Sequence, residues 1–233
     1  LPIFLSSKDM QIGRGEPVQD TARVLSRYLD GIMIRTFKQS EVEALANFGT
    51  IPIINGLTDL SHPCQVLADL MTIREKHGSL DGLKMCFIGD GNNMMNSLIV
   101  GGLKMKMEVS VACPQGYRPA AEVLDFAQAY PAFSMTTDPK EAAVGADVVI
   151  TDVWASMGQE EEAAKRRKAF EGFQINAEVM AKAKKDAMVQ HCLPAHRGEE
   201  ITADVFEKHS TEIFEEAENR LHAQKAVMVK LLG

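Results

Sequence analysis

A chain of 233 residues, 45% hydrophobic and 24% charged, has the composition of an ordinary soluble globular protein and the length for one large or two modest domains. With 25 Lys and Arg against 32 Asp and Glu, its net charge of -7 disfavours nucleic acid or an anionic membrane as the main partner, so an anionic ligand must be held by local cations. Cys64, Cys86, Cys113 and Cys192 lack CxxC spacing, which argues against a zinc ribbon or disulfide framework and for a reducing compartment; no apolar run reaches the roughly 18 residues of a membrane span, and no signal-peptide pattern opens the chain.

In chain order, strands are predicted at 32–35, 51–55, 85–89, 109–113, 147–151 and 187–191, and helices at 19–28, 40–48, 62–76, 93–105, 119–130, 139–143 and 217–232. This βαβα rhythm predicts an α/β protein of two domains, with parallel sheets flanked by helices. A boundary falls at His77-Gly78-Ser79-Leu80-Asp81-Gly82, where a long helix runs into a Gly-rich turn. The second domain carries four strand candidates, whereas the first has two clear strands plus Ile3-Phe4-Leu5, thin for an open sheet.

Chemistry-bearing residues gather at the predicted strand ends, where open α/β sheets bind ligands. Arg35 closes the first strand. His62-Pro63-Cys64-Gln65 reads as a helix start with His62 at the N-cap, a place whose unpaired N–H groups and positive potential suit a phosphate or a polarised carbonyl. Phe87-Ile88-Gly89-Asp90-Gly91-Asn92-Asn93-Met94 runs from strand to helix, but its dinucleotide pattern stops at two glycines, with Met94 in the third place. Asp152 follows Val148-Val149-Ile150-Thr151 and can set a carboxylate beside a cationic amine; Ser156-Met157-Gly158, ahead of Gln159-Glu160-Glu161-Glu162, suits a loop that closes over substrate. His191-Cys192-Leu193-Pro194-Ala195-His196-Arg197-Gly198 ends the last strand, and because neighbouring strand residues point to opposite faces, His191 is badly placed to activate Cys192. Arg220, read as lying near the start of the last helix, works against the macrodipole and hints at an anionic or carbonyl partner. Each residue also has a plainer reading: Arg35 structural, His62 only a cap, Asp152 capping a turn, Met157 in the core, Cys192 buried and inert, Arg220 in a surface ion pair.

Together, His62-Pro63-Cys64-Gln65, Asp152-Val153-Trp154-Ala155-Ser156-Met157-Gly158 and His191-Cys192-Leu193-Pro194 make the chain resemble the aspartate/ornithine carbamoyltransferase family, on its ornithine-using side, from Gln11 to Leu232. The resemblance implies transfer of the carbamoyl group of carbamoyl phosphate to the δ-amino group of L-ornithine, giving citrulline and phosphate, with no metal and no cofactor. It implies a carbamoyl phosphate-binding domain over 1–78, an ornithine-binding domain over 79–211 and a terminal helix over 212–233 that returns to the first domain. Arg35, His62 and Gln65 match positions that hold carbamoyl phosphate and polarise its carbonyl oxygen, and Arg220 matches a position serving the same carbonyl. Asn93 matches a contact to the amino-acid end of ornithine, Asp152 and Cys192 an amine-orienting pair, Ser156 and Met157 the closing loop, and Leu193 a backbone contact to the carbamoyl group. Gln11 matches a residue that reaches a neighbouring subunit's site, which implies a homotrimer or a multiple of it with shared active sites. A cytoplasmic location is expected, or the mitochondrial matrix for a eukaryotic protein with a leader.

The family's Ser-Thr-Arg-Thr-Arg phosphate motif occurs nowhere in the chain, so an N-terminally incomplete first domain is expected, with weak carbamoyl phosphate binding by residues 1–233 alone. Rival readings are a carbamoyltransferase for another amine such as putrescine or a modified ornithine, a noncatalytic paralogue, and a nucleotide-linked oxidoreductase.

Overall fold

The computed structural model describes residues 1–6, 10–155 and 162–233, with Gln11 and Ile12 as backbone alone. A 3-10 turn at Gln11–Arg14 leads into α1 (Val18–Leu25), β1 (Ile32–Arg35), α2 (Gln39–Phe48), β2 (Ile53–Leu57) and α3 (Pro63–His77). Strands β1 and β2 pair in parallel, with Ile32 opposite Ile53. Then follow β3 (Lys84–Ile88), α4 (Asn93–Lys104), β4 (Glu108–Ala112), α5 (Ala121–Ala127), β5 (Phe133–Thr136), α6 (Pro139–Ala142), β6 (Val148–Thr151), α7 (Ala163–Ala169), α8 (Ala177–Met180), β7 (Met188–His191), α9 (Ala203–Lys208) and α10 (Ser210–Leu232). The second sheet is parallel throughout, in the order β5-β4-β3-β6-β7.

The pleat explains why this sheet reads as near-continuous apolar runs. Met85 and Phe87 of β3 face a core that includes Val66, Leu70 and Ile73 of α3, while Cys86 and Ile88 face a second core around Trp154, Phe170 and Phe206. Burial on both faces is the usual condition of a parallel sheet. Helix α3 therefore joins the two halves: it follows the first sheet and packs on the second. Pro63 occupies its first turn, and Gly78 ends it in the left-handed conformation at φ 79°, its N–H returning to the Arg74 carbonyl. Helix α10 lies along α3 and β7. Among the described residues no helix is long and apolar enough to cross a membrane.

Several elements differ from expectation. Ile3, Phe4 and Leu5 form no strand and are exposed, and β2 sits two residues further on than predicted. Strand β5 is an unforeseen short edge strand that ends just before the Asp138-Pro139 helix start, and the short helices α7, α8 and α9 were also unforeseen. Helix α10 starts at Ser210 rather than 217, because its buried face, Ile213, Glu216, Asn219 and Ala223, is half polar and carries a weak apolar signal. Arg220 thus lies in the helix interior, away from either end, where the macrodipole has little effect on it.

The sheet order reverses between β3 and β6: the chain proceeds outward through β4 and β5, then returns to the other side of β3. A ligand crevice belongs at the carboxyl ends of those two strands. Gly91, just past β3, has a packing reason to be glycine: an added Cβ would lie 2.2 Å from the Arg118 carbonyl carbon and 2.4 Å from the Pro119 nitrogen, both backbone. Gly91→Ala is expected to destabilise the protein by about 2–3 kcal/mol, since backbone cannot swing aside as a side chain can, and urea unfolding would measure it.

Candidate active site

Three strand ends meet in the crevice. Asp152 follows β6, Asn92 lies in the turn after β3, and Cys192 follows β7. The buried Asp152 carboxylate accepts hydrogen bonds from its neighbour Val153 N–H (2.7 Å), Asn92 Nδ2 (3.0 Å) and Cys192 Sγ (3.0 Å). Burial and the adjacent Asp152 charge hold the Cys192 thiol well above its usual range, so it stays protonated and acts as a donor. His191 turns the other way: its Nε2 lies 3.0 Å from Glu200 Oε1, and its Nδ1 accepts the Leu193 N–H at 2.9 Å. The expected separation of His191 from Cys192 is therefore present, and the thiol's partner is a carboxylate that keeps it from being a nucleophile.

Asn92, unforeseen from the sequence, does two jobs. Its Oδ1 caps α4 by accepting from the N–H groups of Met94 and Met95, which leaves Nδ2 pointed at Asp152. The signal was available: an asparagine directly before a predicted helix is a cap. Asn93 Nδ2 donates to the Thr58 carbonyl at 2.7 Å, tying the start of α4 to the segment after β2. The Gly89-Asp90-Gly91 turn is held by a buried ion pair. Buried Asp90 pairs with the buried Arg166 at 2.7 Å, and Arg166 also donates to the Trp154 carbonyl (3.0 Å) and stacks 5.1 Å from the Tyr117 ring.

Across the crevice, His62 caps α3 with its backbone N–H on Ser97 Oγ (2.8 Å), whose hydroxyl in turn donates to the Asn93 carbonyl (2.8 Å). Burial, then Arg220 and Arg35, lower the His62 pKa to about 4. The imidazole is thus neutral at physiological pH, and it offers a hydrogen bond flanked by two guanidinium groups. An NMR titration is expected to place the His62 midpoint near 4. The sign follows: the unfolded chain binds this proton more readily, so the contribution of His62 to stability is complete above about pH 6.5 and is lost as pH falls toward 4. Arg35 is the last residue of β1, as expected, and is exposed, while Arg220 reaches the same neighbourhood from α10.

Gln65 is fully buried, and both hydrogens of its amide are committed, to Asp69 Oδ1 (2.8 Å) and Glu216 Oε1 (2.7 Å). Its Oε1 has no partner among the described residues. Gln65 therefore offers an acceptor, whereas polarising a carbonyl oxygen takes a donor. Leu193, at φ 54° ahead of a cis bond to Pro194, has its N–H on His191, so its backbone likewise offers only a carbonyl. Gln11 sits in the 3-10 turn as backbone alone, and Ser156 and Met157 lie outside the described residues. One group of potential metal ligands occurs among the described residues, His196, Glu199 and Glu200, within 4.8 Å of one another. Glu200 Oε1 takes the His191 ring and the His196 N–H, and Arg167 holds Glu199, while Glu200 Oε2 has no hydrogen-bond partner among the described residues and lies 4.0 Å from the exposed His196 ring.

Known proteins resemble this chain over its whole length. Residues 81–231 match the family profile of the aspartate/ornithine carbamoyltransferase Asp/Orn binding domain, and residues 1–75 that of the same family's carbamoyl-P binding domain. The chain is 56% identical over 237 residues to an ornithine carbamoyltransferase of Carboxydothermus hydrogenoformans, covering 100% of this chain and 76% of that protein. It is 56% identical over 238 residues to that of Oceanobacillus iheyensis, covering 100% and 74%. The solved ornithine carbamoyltransferase from Pyrococcus furiosus superposes with a TM-score of 0.92 at 51% identity, over 99% of this chain and 75% of that one. The chain thus spans about three quarters of the length of these relatives.

Proposed function

Since the chain belongs to the aspartate/ornithine carbamoyltransferase family, we propose that it carries the carbamoyl group from carbamoyl phosphate to the δ-amine of L-ornithine, releasing L-citrulline and phosphate. The observation that carries this reading is the meeting of an amine-directed carboxylate, Asp152 with its thiol donor Cys192, and a cationic, carbonyl-directed group around His62, Arg35 and Arg220. Two substrates need two such halves, one for a nucleophile and one for an electrophile.

In the reaction, the lone pair of the neutral δ-amine forms a bond to the carbonyl carbon, and the tetrahedral adduct breaks its bond to the phosphate oxygen. Phosphate leaves with the electron pair and takes up the proton that the nitrogen loses. Asp152 orients the amine, and the protonated Cys192 shields that carboxylate without competing as a nucleophile. Arg220 and Arg35 face the charge that develops on the carbonyl oxygen and the phosphate, with neutral His62 donating a hydrogen bond. Gln65 Oε1 and the Leu193 carbonyl are acceptors suited to the carbamoyl NH2. Asn93 is assigned to the amino-acid end of ornithine, Ser156 and Met157 to the closing loop.

The halves correspond to a carbamoyl phosphate domain over 1–78 and an ornithine domain over 79–211, with 212–233 returning to the first. Gln11 is assigned to a neighbouring subunit's site in a homotrimer, which light scattering on the purified protein tests. Four free cysteines, three of them buried, suit a reducing compartment such as the cytoplasm. The function is tested by a citrulline assay with both substrates, alongside calorimetry with carbamoyl phosphate alone. Citrulline formed from ornithine, with no carbamoylation of putrescine, supports the reading; carbamoylation of putrescine instead, or carbamoyl phosphate bound with no citrulline formed, overturns it.

A further inference from the structure

Beneath the site lies a polar cluster that the reaction scheme leaves unused. Asp69 of α3 and Glu216 of α10 are 0% and 1% exposed, and both accept from the one amide nitrogen of Gln65. Glu216 Oε2 also accepts the His191 N–H (3.0 Å), and Gln190 Nε2 donates to the Asp69 carbonyl (3.1 Å). The cluster therefore joins the helix that begins at His62, the helix that carries Arg220, and the strand that ends at Cys192.

We infer that Asp69 and Glu216 are positioning residues that lock the Gln65 carboxamide with its oxygen toward the carbamoyl NH2. This deepens the reading given above and rests on it. An amide oxygen and nitrogen have nearly the same shape, so an unflanked glutamine can present either face. Two carboxyl groups on the nitrogen side remove that freedom, because a flipped Gln65 would set its oxygen against two buried acceptors and leave two donors elsewhere. Burying two carboxylates so close together is costly unless a proton is held between them. Burial raises both groups, and Asp69 raises Glu216 further. The charges facing the pair are Arg220 on α10 and Asp152 after β6, with the Cys192 thiol beside them. One retained proton leaves a single negative charge opposite Arg220.

Asp69→Leu is expected to weaken carbamoyl phosphate binding about 10- to 100-fold, the range for losing a hydrogen bond to a charged buried group, while ornithine affinity holds. Because Asp69 acts through Gln65, the double variant Q65L/D69L should be no weaker than Q65L alone. Asp69→Asn can accept from Gln65 and donate to Glu216, so it should recover most of the loss and remove one ionisation from the pH profile of carbamoyl phosphate affinity. Glu216→Gln sets its NH2 against a donor whichever way it turns, the Gln65 amide or the His191 N–H, and should be the more harmful of the two amides. Additive losses in Q65L/D69L, D69N as damaging as D69L, or ornithine affinity falling in step would overturn the inference. Should D69L not fold, the order of D69N and E216Q decides. Where residues 1–233 bind carbamoyl phosphate too weakly to compare variants, as the missing phosphate motif predicts, the functional reading is judged separately by the citrulline assay. The lock itself is then read by NMR: Gln65 side-chain amide protons protected from exchange uphold it, and freely exchanging ones overturn it.

Discussion

Asp152→Asn should cut citrulline formation about a thousandfold, the scale seen when one preorganised electrostatic group is taken from an active site. The wild-type carboxylate accepts from Val153, Asn92 and Cys192 at the strand end assigned to the incoming amine. The asparagine amide has one acceptor oxygen, and its NH2 would face a neighbour that is itself a donor. The loss should fall on kcat and on the KM for ornithine, with carbamoyl phosphate binding in the absence of ornithine retained. A second readout belongs to the same residue. The Asp152 charge helps to hold the Cys192 thiol protonated, so D152N should speed alkylation of Cys192 by iodoacetamide at neutral pH. Turnover within tenfold of wild type would remove Asp152 from its assigned role.

Much of the fold was legible because the second sheet is buried on both faces. Met85-Cys86-Phe87-Ile88 and Val148-Val149-Ile150 read as strands from apolarity alone, and the Pro63 start and Gly78 stop of α3 are local chemistry. What escaped lacked such signals. Strand β5 is a four-residue edge strand with no fully buried residue, and the buried face of α10 contains Glu216 and Asn219, so its apolar period is broken where it packs on α3. Polar residues on a packed face are invisible to hydrophobic patterning.

The same holds for the site. Asp152, Cys192, His62 and Arg35 stand at strand or helix ends and could be picked out as groups that chemistry needs there. Asp69 and Glu216 are mid-helix acids that a single sequence gives no reason to separate from solvated ones. Their meaning comes from Gln65, and that meeting spans 151 residues of chain between Gln65 and Glu216. Gln65 shows the limit from the other side: its place was evident, but which end of its amide faces the substrate depends on what lies behind it.

Arg166 is the clearest such case and carries the largest expected effect on stability. It sits in the run of four cations Lys165-Arg166-Arg167-Lys168, of which Arg166 alone is buried. Arg166→Met would leave Asp90 charged and unpaired in the protein interior, at a cost of about 3–5 kcal/mol. For a chain of this size the expected fall in Tm is roughly 10 °C. The sign with pH is fixed. Burial already raises the Asp90 carboxyl and Arg166 opposes that, so without the guanidinium its folded-state pKa rises further above the unfolded value. The defect should be small in acid, where Asp90 is protonated in both states, and should grow as pH rises through the raised pKa. Urea unfolding at about pH 5 and about pH 8 would measure this, and a defect that shrinks with rising pH would contradict it. The double variant D90N/R166M should recover much of the loss, because an amide needs no counter-charge. Arg166 also donates to the Trp154 carbonyl, two residues beyond Asp152, so R166M should raise the KM for ornithine even where the fold holds. D90N/R166M should repair stability and leave that kinetic defect in place, since the donor to Trp154 is still missing.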